Sequence, residues 1–340
     1  MVPPRCQPLP AATHLERWQR DGRNPLGQHR LTSQPKRQLE RPMQKIEITG
    51  PNPDLIHDMI GGGDVPQVKI EAELYLPRDT RVPCPAVVVS EGLGGLQDKR
   101  ERDYGRLLSD EGYVVLVIDS FGARGVGSNG DFLRAMSVTE AMMLGDAFTG
   151  LRYLADRPDV DARRIGIIGF SYGGMITQLA AYEQLAQAYL PDGPRFAAHV
   201  SYYGCSIPRL EDPTTPGAPV TILIGGQDRN VSIPRVHDIA GDLRRGGSPT
   251  EVITYDDIYH QWDGTDETRR WVPANLRRLH LRVGRDYSIR DEKGSMQMQG
   301  RWSRRALIAR RTDPRGYHIQ RNRITTLKSN EVLLERLQSM

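Results

Sequence analysis

The chain has 340 residues and a formal net charge of +4, and 38% of its residues are hydrophobic. The three cysteines have no redox or metal spacing, and no run of about 18 apolar residues or apolar signal segment occurs. These features exclude a disulfide-rich secreted domain and a membrane-spanning protein. They predict a soluble protein of the reducing cytoplasm whose core is flanked by polar segments.

Charge divides the chain into three segments. Residues 1–42 carry a net charge of +5, residues 43–264 carry −11 and residues 265–340 carry +10. The first segment is rich in arginine, glutamine and proline without apolar periodicity, so we expect a disordered polar leader, with Met43 as a candidate for the true start. A transit peptide is the alternative, although the segment has one serine and no clear amphipathic helix. We expect a folded core over 43–264 and a basic extension over 265–340.

Strand and helix patterns alternate along the core. Continuous apolar runs are typical of buried parallel strands, whereas the alternation at 68–76 indicates a half-buried strand near a sheet edge. Ser137 and Glu140 predict a capping box at the start of one helix. The pattern predicts an α/β fold with a mostly parallel central sheet and helices on both faces. The predicted strands are 68–76, 85–90, 113–118, 165–169, 197–203, 219–224 and 251–255; the predicted helices are 102–111, 137–156, 175–186 and a closing helix at 329–337 that packs on the core.

One strand passes into a helix through a turn centred on Ser171. The sequence Gly169-Phe-Ser-Tyr-Gly173 is a nucleophile elbow, in which a tight strand-to-helix turn exposes the serine and small neighbours avoid a backbone clash. A glycine-rich chain can contain this motif by chance, so its position between a strand and a helix carries the prediction. In the alternative interpretation, Ser171 only caps the helix. We predict Ser171 to be a nucleophile.

The acid of a catalytic triad is expected at the end of a later strand. Asp228 follows the strand at 219–224, where a buried carboxylate can orient an imidazole and stabilise its charged form. Asp119 and Asp256 also follow strands and are the alternatives. We predict Asp228 to be the orienting acid.

The histidine of the triad is expected after the last core strand. His260 follows the strand at 251–255 and completes the order Ser, Asp, His that α/β-hydrolases use. His318 is the competing candidate, because it also precedes a terminal helix. We predict His260 to be the general base.

A glycine-rich loop follows the strand at 85–90. Its sequence, Glu91-Gly-Leu-Gly-Gly-Leu, suits unusual backbone angles and can present a free amide. In this fold, an amide of that loop and the amide after the nucleophile form the oxyanion hole. The candidates are Gly92, or Leu93 if the register shifts by one residue, together with Tyr172.

A second glycine-rich loop, Ser120-Phe-Gly-Ala-Arg-Gly-Val-Gly, follows the strand at 113–118. Open α/β sheets bind ligands at this edge, and Arg124 could hold a substrate carboxylate, the alternative being a solvated side chain. No helix opens after the glycines and no G-x-x-x-x-G-K motif occurs, so nucleotide binding is rejected.

Together these motifs resemble the dienelactone hydrolase family of α/β-hydrolases over roughly residues 68–264. The resemblance implies a hydrolase of carboxylic esters or lactones without a metal or cofactor, with Glu91 and Arg124 near the substrate. The chain has Ser171 where the namesake enzymes carry cysteine, and Gln-Trp-Asp-Gly after the histidine where they carry an arginine. The shared features are Glu91, the Asp119 loop with Arg124, the elbow at 169–174, Tyr-Tyr-Gly at 202–204, Gly226-Gln-Asp228 and His260.

Two other function classes remain open. One is a serine peptidase resembling the prolyl oligopeptidase group, which shares Ser-Tyr-Gly-Gly but carries a large propeller domain. The other is a non-catalytic hydrolase-like protein that binds a partner through the basic extension. The extension lacks the aromatic interleaving of nucleic-acid-binding segments, so we expect a solvated or oligomer-facing surface, a small-molecule substrate and no membrane partner.

Overall fold

The computed structural model describes residues 43–61, 63–78, 83–127, 129–294 and 296–340. The predicted leader over 1–42 lies outside the described residues. Fourteen strands occur in the described part of the chain. They are β1 Met43–Pro51, β2 Gln67–Tyr75, β3 Cys84–Ser90, β4 Val114–Ile118, β5 Val160–Phe170, β6 Ala198–Tyr202, β7 Pro208–Leu210, β8 Val220–Gly225, β9 Thr250–Tyr255, β10 Arg270–Val272, β11 Leu281–Val283, β12 Ile289–Asp291, β13 Gln297–Met298 and β14 Tyr317–Ile319.

Eight α-helices connect or cover these strands within the described residues. None of them is long and apolar enough to cross a membrane. The helices are α1 Glu101–Asp110, α2 Asp131–Ser137, α3 Glu140–Ala155, α4 Tyr172–Leu179, α5 Glu183–Tyr189, α6 Ile233–Arg245, α7 Arg301–Arg311 and α8 Arg323–Gln338.

One eight-stranded sheet organises the fold, in the order β1-β2-β4-β3-β5-β6-β8-β9. The pairs from β4 to β9 are parallel, whereas β1 pairs with β2, and β2 with β4, in the antiparallel sense. Every residue of β3 and β4 is buried, as expected for strands covered on both faces. The prediction of a mostly parallel α/β sheet is confirmed.

Helices cover opposite faces of this sheet. Gly105 of α1 packs against the ring of Tyr75, since a Cβ added to Gly105 would lie 2.8 Å from that ring. Gly150 of α3 packs against Leu116, since a Cβ added to Gly150 would lie 3.1 Å from the Leu116 side chain. Tyr75 is paired with Val115, the neighbour of Leu116. Paired residues point to the same face and successive residues to opposite faces, so α1 and α3 lie on different sides of the core.

The edge strand of the sheet was not predicted. The sequence placed the strand at 68–76 near an edge, and β2 is the second strand from it, but the edge itself is β1. Most of β1 is exposed, and Ile48 and Gly50 are its buried residues. A strand with so few buried positions gives a weak pattern, which is why it was not predicted.

Two helix predictions were also wrong in detail. The helix expected over 175–186 is two helices, α4 and α5, separated at residues 180–182. The capping box of Ser137 and Glu140 does not form, because Ser137 ends α2 and the Thr139 hydroxyl caps α3 by accepting from the Met142 amide at 3.1 Å. Glu140 is thereby free to make other contacts.

The last part of the chain, residues 265–340, is called the C-terminal segment below. Its strands β11, β12 and β13 join β7 of the core in a four-stranded sheet, and β10 pairs with β14. Helix α8 lies against β6, where the Tyr202 hydroxyl donates to the Ser329 carbonyl at 3.1 Å. Leu333 and Leu337 of α8 are fully buried. The segment is therefore built into the core rather than appended to it.

Candidate active site

The turn between β5 and α4 forces Ser171 into a strained conformation. Its φ is 53° and its ψ is −107°, outside the regions that most residues adopt. An added Cβ on Gly169 would lie 2.2 Å from the Gly173 carbonyl oxygen, and one on Gly173 would lie 2.2 Å from that of Ser90. The elbow therefore requires glycine at both positions, and this packing holds the serine at the end of the strand.

Ser171, His260 and Asp228 form one hydrogen-bonded chain. Ser171 Oγ lies 2.9 Å from His260 Nε2, and His260 Nδ1 lies 2.6 Å from Asp228 Oδ2. The exposed fraction is 3% for Ser171, 0% for His260 and 1% for Asp228. The three strand ends thus bring together the residues that the sequence selected, in the order and contact that a serine nucleophile, a base and an orienting acid require.

The competing acids lie elsewhere. Asp119 accepts a hydrogen bond from the Gly122 amide at 2.7 Å, and Asp256 is exposed. The other oxygen of Asp228 accepts from the Asn230 amide at 2.8 Å, and Asn230 Nδ2 lies 3.3 Å from His260 Nε2. Asn230 was missed, although its position two residues after a strand-end aspartate is typical of a turn that fixes the carboxylate.

His318 belongs to a different cluster. It lies on β14, with its ring 5.0 Å from that of Trp271 and 5.7 Å from that of Tyr259, measured between centroids. The neighbouring Tyr317, in contrast, reaches the triad, since its ring centroid lies 5.2 Å from that of His260. Tyr317 is 7% exposed. No sequence signal marked this residue, because it lies on a three-residue strand.

Two backbone amides near Ser171 are available as donors. Among the described residues, neither the Leu93 amide nor the Tyr172 amide donates to an acceptor. The Gly92 amide donates to Glu101 Oε1 at 3.4 Å, and an added Cβ on Gly92 would lie 3.5 Å from Ser171 Cβ. The Arg134 guanidinium holds the loop through the Leu93 carbonyl at 2.6 Å. The geometry therefore favours the shifted register, with Leu93 rather than Gly92 as the free donor.

Glu91 connects the two glycine-rich loops. Its Oε1 accepts from the Phe121 amide at 3.0 Å, and its Oε2 has no partner among the described residues. The side chain is fully buried, and this burial, with Asp119 nearby, raises the pKa of Glu91 well above its ordinary value. Burial therefore favours the neutral form of Glu91, and its contact with Phe121 positions these loops.

Arg124 makes its contacts inside the protein. Its guanidinium binds both oxygens of Asp146, at 2.8 and 3.0 Å, and also donates to Asn52 Oδ1 at 2.8 Å and to the Ser120 carbonyl. The exposed fractions of the two charged side chains are 8% and 1%. The expected role in holding a substrate carboxylate is corrected: the carboxylate bound by Arg124 is that of Asp146.

A buried network links the residue after the nucleophile to the C-terminal segment. The Tyr172 hydroxyl donates to Glu140 Oε1 at 2.7 Å, and Arg304 of α7 donates to both oxygens of Glu140 and to the Tyr172 hydroxyl at 2.8–3.1 Å. Although burial opposes it, Arg304 holds the pKa of Glu140 below its ordinary value. Sequence reasoning missed this network; a glutamate beside the apolar run Ala-Met-Met-Leu was the available signal.

Cys205 is the nearest other nucleophile. Its Sγ lies 3.9 Å from Ser171 Oγ, and burial raises the pKa of the thiol to about 12. The thiol is therefore neutral at physiological pH. No group of three or more histidine, cysteine or carboxylate side chains in the described part of the chain could hold a metal ion.

A nucleophile elbow, a strand-end acid and a histidine in this order, on a mostly parallel sheet, define the α/β-hydrolase class. A solved structure titled "Putative Dienelactone Hydrolase" from Klebsiella pneumoniae subsp. pneumoniae MGH 78578 has this fold. It matches with a TM-score of 0.50 and 22% identity, over 65% of this chain and 88% of that one.

The model of the Dienelactone hydrolase family matches residues 70–275, so the chain belongs to that family and is a hydrolase acting on ester bonds. The "Putative carboxymethylenebutenolidase" of Escherichia coli K12 is 27% identical over 202 residues, which cover 55% of this chain and 70% of the relative. Human dipeptidyl peptidase 8 is 29% identical over 178 residues, 45% of this chain and 19% of that protein.

Proposed function

We propose that the protein is a serine hydrolase that cleaves a carboxylic ester or lactone through an acyl-enzyme formed on Ser171. The observation that carries the proposal is the unbroken contact from Ser171 Oγ through the His260 imidazole to Asp228. Burial of all three side chains excludes water from these contacts and strengthens them. The neutral Cys205 thiol leaves the serine as the nucleophile.

The reaction proceeds in two halves. Ser171 Oγ attacks the acyl carbonyl while His260 Nε2 takes its proton, and Asp228 stabilises the imidazolium that results. The imidazolium then gives this proton to the leaving alkoxide, which departs as the alcohol. In the second half, His260 takes a proton from water and the resulting hydroxide attacks the acyl-enzyme. The bond from the acyl group to Ser171 Oγ then breaks, the imidazolium returns its proton to Oγ, and the carboxylic acid is released.

The developing oxyanion is bound by backbone amides. Tyr172 supplies one of them, and Leu93, in the register that the hydrogen bonds favour over Gly92, supplies the other. Arg304 and Glu140 act as positioning residues, because they fix the side chain of the residue whose amide binds the oxyanion. Glu91 holds the loop that carries the second amide.

A hydrolysis screen tests this proposal. p-Nitrophenyl esters of graded acyl length and lactones with or without a carboxylate should reveal a preferred substrate, the lactones being included because a relative is named carboxymethylenebutenolidase. Ser171→Ala should reduce kcat about 10³-fold or more, whereas Cys205→Ala, the matched control at the neighbouring nucleophile, should stay within about tenfold. Activity of Ser171→Ala within tenfold of the wild type would refute the nucleophile.

The same screen separates the two alternatives. A serine peptidase of the prolyl oligopeptidase type would cleave peptidyl p-nitroanilides at least as well as esters, whereas we expect the anilides to be poor substrates. A non-catalytic relative would hydrolyse none of the compounds. We also propose a cytoplasmic location, supported by the odd number of cysteines and their lack of a redox or metal spacing in the sequence.

A further inference from the structure

A groove of about 520 Å³ lies beside the triad, on the side formed by the C-terminal segment. Two loops of the core contribute to it: Arg229 follows Asp228 directly, and Tyr259 precedes His260. The opposite wall comes from residues 269–277 and 313–318. None of the three triad side chains lines the groove, so it is a separate site from the one described above.

Three arginines of this groove have no carboxylate partner among the described residues. The side chains of Arg229 and Arg277 make no ion pair, and Arg269 donates only to the Tyr259 hydroxyl, at 3.1 Å. Many arginines of the C-terminal segment are paired, as Arg315 is with Asp313 in the same groove. The groove therefore concentrates positive charge that the protein itself does not neutralise.

Aromatic rings line the same groove. Trp271 is 49% exposed and packs edge-on against His318, which in turn packs against Tyr259. The Arg269 guanidinium lies 5.8 Å from the centroid of the Tyr259 ring. An exposed tryptophan costs free energy in water unless a ligand covers it, and its flat face suits stacking with another ring.

Size and charge define the occupant. A groove of this volume accommodates a small organic molecule, since such sites measure about 300–1,000 Å³. The leader over 1–42 carries the same positive sign as the groove, so charge argues against it as the occupant. Guanidinium groups bind carboxylate and phosphate oxygens in bidentate fashion.

We propose that the groove binds a small organic anion in which a carboxylate or a phosphate is attached to an aromatic ring, with the ring on Trp271 and the anionic oxygens on Arg229 and Arg277. The groove is also in contact with the His260 ring through Tyr317, which forms part of its wall and whose ring packs against that of His260. Binding in the groove does not require hydrolysis, so this proposal does not depend on which residue is the nucleophile.

Binding to the full chain tests the proposal with four probes: phenyl phosphate, benzoate, inorganic phosphate and benzyl alcohol. Calorimetry and tryptophan fluorescence should show saturable binding of one or both aromatic anions, at least about tenfold tighter than inorganic phosphate or benzyl alcohol. Phenyl phosphate and benzoate distinguish a phosphate from a carboxylate ligand. Because none of the probes is an ester, the result does not depend on the proposed hydrolysis.

Variants locate the binding. Arg229→Ala combined with Arg277→Ala should weaken binding of the aromatic anion about tenfold or more. Arg163→Ala, which removes an arginine that is 91% exposed on β5, is the matched control and should leave binding unchanged. Trp271→Phe should abolish the fluorescence change while calorimetric binding persists. Arg229 and Arg277 make no ion pair among the described residues, and the control Arg163 pairs only with Asp161 at the surface. An unchanged melting temperature verifies folding.

Three results would overturn the proposal. The first is the absence of saturable binding of both aromatic anions at millimolar concentration. The second is binding that the double arginine variant leaves as tight as in the wild type, or weakens no more than Arg163→Ala does. The third is a fluorescence change that survives Trp271→Phe, because the ligand would then lie at another tryptophan.

Discussion

The core over 43–264 and the C-terminal segment are held together by different forces. In the core, strands such as β3 and β4 are buried along their whole length and pair in parallel. In the segment, β10, β11, β12 and β14 are each three residues long. Apolar burial is sufficient to organise the first region, whereas strands this short cannot bury enough surface to be stable alone.

Charge connects the two regions. The segment carries +10 and the core −11. Among the described residues, four arginines of the segment pair with acids of the core: Arg285 with Asp212, Arg301 with Asp54, Arg304 with Glu140 and Arg336 with Glu251. Three of these pairs are solvent-accessible and contribute little. The pair of Arg304 and Glu140 is buried, and through it the segment reaches the active site. Under the proposed function, the core carries the chemistry and the segment positions part of the site.

The largest expected effect on activity comes from comparing a histidine of the core, His260, with a histidine of the C-terminal segment, His318. We expect His260→Ala to reduce kcat about 10³-fold or more, because Ser171 loses its base, and His318→Ala to reduce it less than about tenfold. Ester hydrolysis at saturating substrate measures both. If His318→Ala proved the more damaging, the chemistry would belong to the C-terminal segment and the comparison would be reversed.

The second effect concerns a buried ion pair that lies wholly within the core. Arg124→Ala leaves the buried Asp146 carboxylate without its partner, so the free energy of unfolding should fall by about 3 kcal/mol. Denaturant unfolding measures this loss. Kinetic measurements then distinguish a structural role of Arg124 from a role in substrate binding. If the role is structural, the variant should lose activity equally towards neutral and anionic esters. A rise in KM confined to anionic esters would restore Arg124 as a substrate ligand.

The third effect tests the pair that crosses between the regions. Arg304→Met should lower kcat about tenfold to a hundredfold with little change in KM, because a displaced oxyanion donor affects the transition state more than the bound substrate. Arg305→Met is the matched control on the same helix, since Arg305 donates only to the Met136 carbonyl; it should leave kcat within about threefold.

The conservative variant Tyr172→Phe completes this test. It keeps the ring but removes the hydroxyl that Arg304 and Glu140 hold, so it should lower kcat in the same direction. The double variant Arg304→Met with Tyr172→Phe should cost less than the sum of the two, because both act through one network. Additive losses, or an equal loss in Arg305→Met, would show that α7 only stabilises the fold.

The smallest effect is a pH dependence of stability within the core. The pKa of Glu91 is raised above its ordinary value of 4.5 by burial, so its contribution to stability is fully present below that pH and is lost as the pH rises through the folded-state pKa. Glu91→Gln removes this loss. The stability of the variant relative to the wild type should therefore increase as the pH rises above 4.5, measured by thermal unfolding. A difference in stability between the variant and the wild type that stays constant with pH would contradict a raised pKa of Glu91.

Much of the core was predictable because its signals are local. A buried parallel strand is a continuous apolar run, and an elbow needs glycine at two fixed positions, so the strands and Ser171 could be found without any knowledge of distant contacts. The order of strand ends then selected Asp228 and His260. The edge strand β1 was not predicted, because most of its residues are exposed and its sequence therefore lacks the apolar pattern of a buried strand.

The errors about the paired arginines share a physical cause, which is contact between residues distant in sequence. Arg124 and Asp146 are 22 residues apart, and Glu140 and Arg304 are 164 apart; nothing local marks either arginine as paired. Strands of three residues are too short for periodicity, so Tyr317 and the groove of the C-terminal segment could not be anticipated. The choice between Gly92 and Leu93 depended on hydrogen bonds that only the folded loop defines.

The most direct test of the central claim is covalent labelling with a fluorophosphonate, followed by mass spectrometry of the digested protein. An activated serine is required for labelling. We predict one modified peptide, with the phosphonyl group on Ser171, and loss of that label in His260→Ala with folding retained. Modification of another residue, or labelling of Ser171 at an undiminished rate in His260→Ala, would contradict a triad in which His260 activates Ser171.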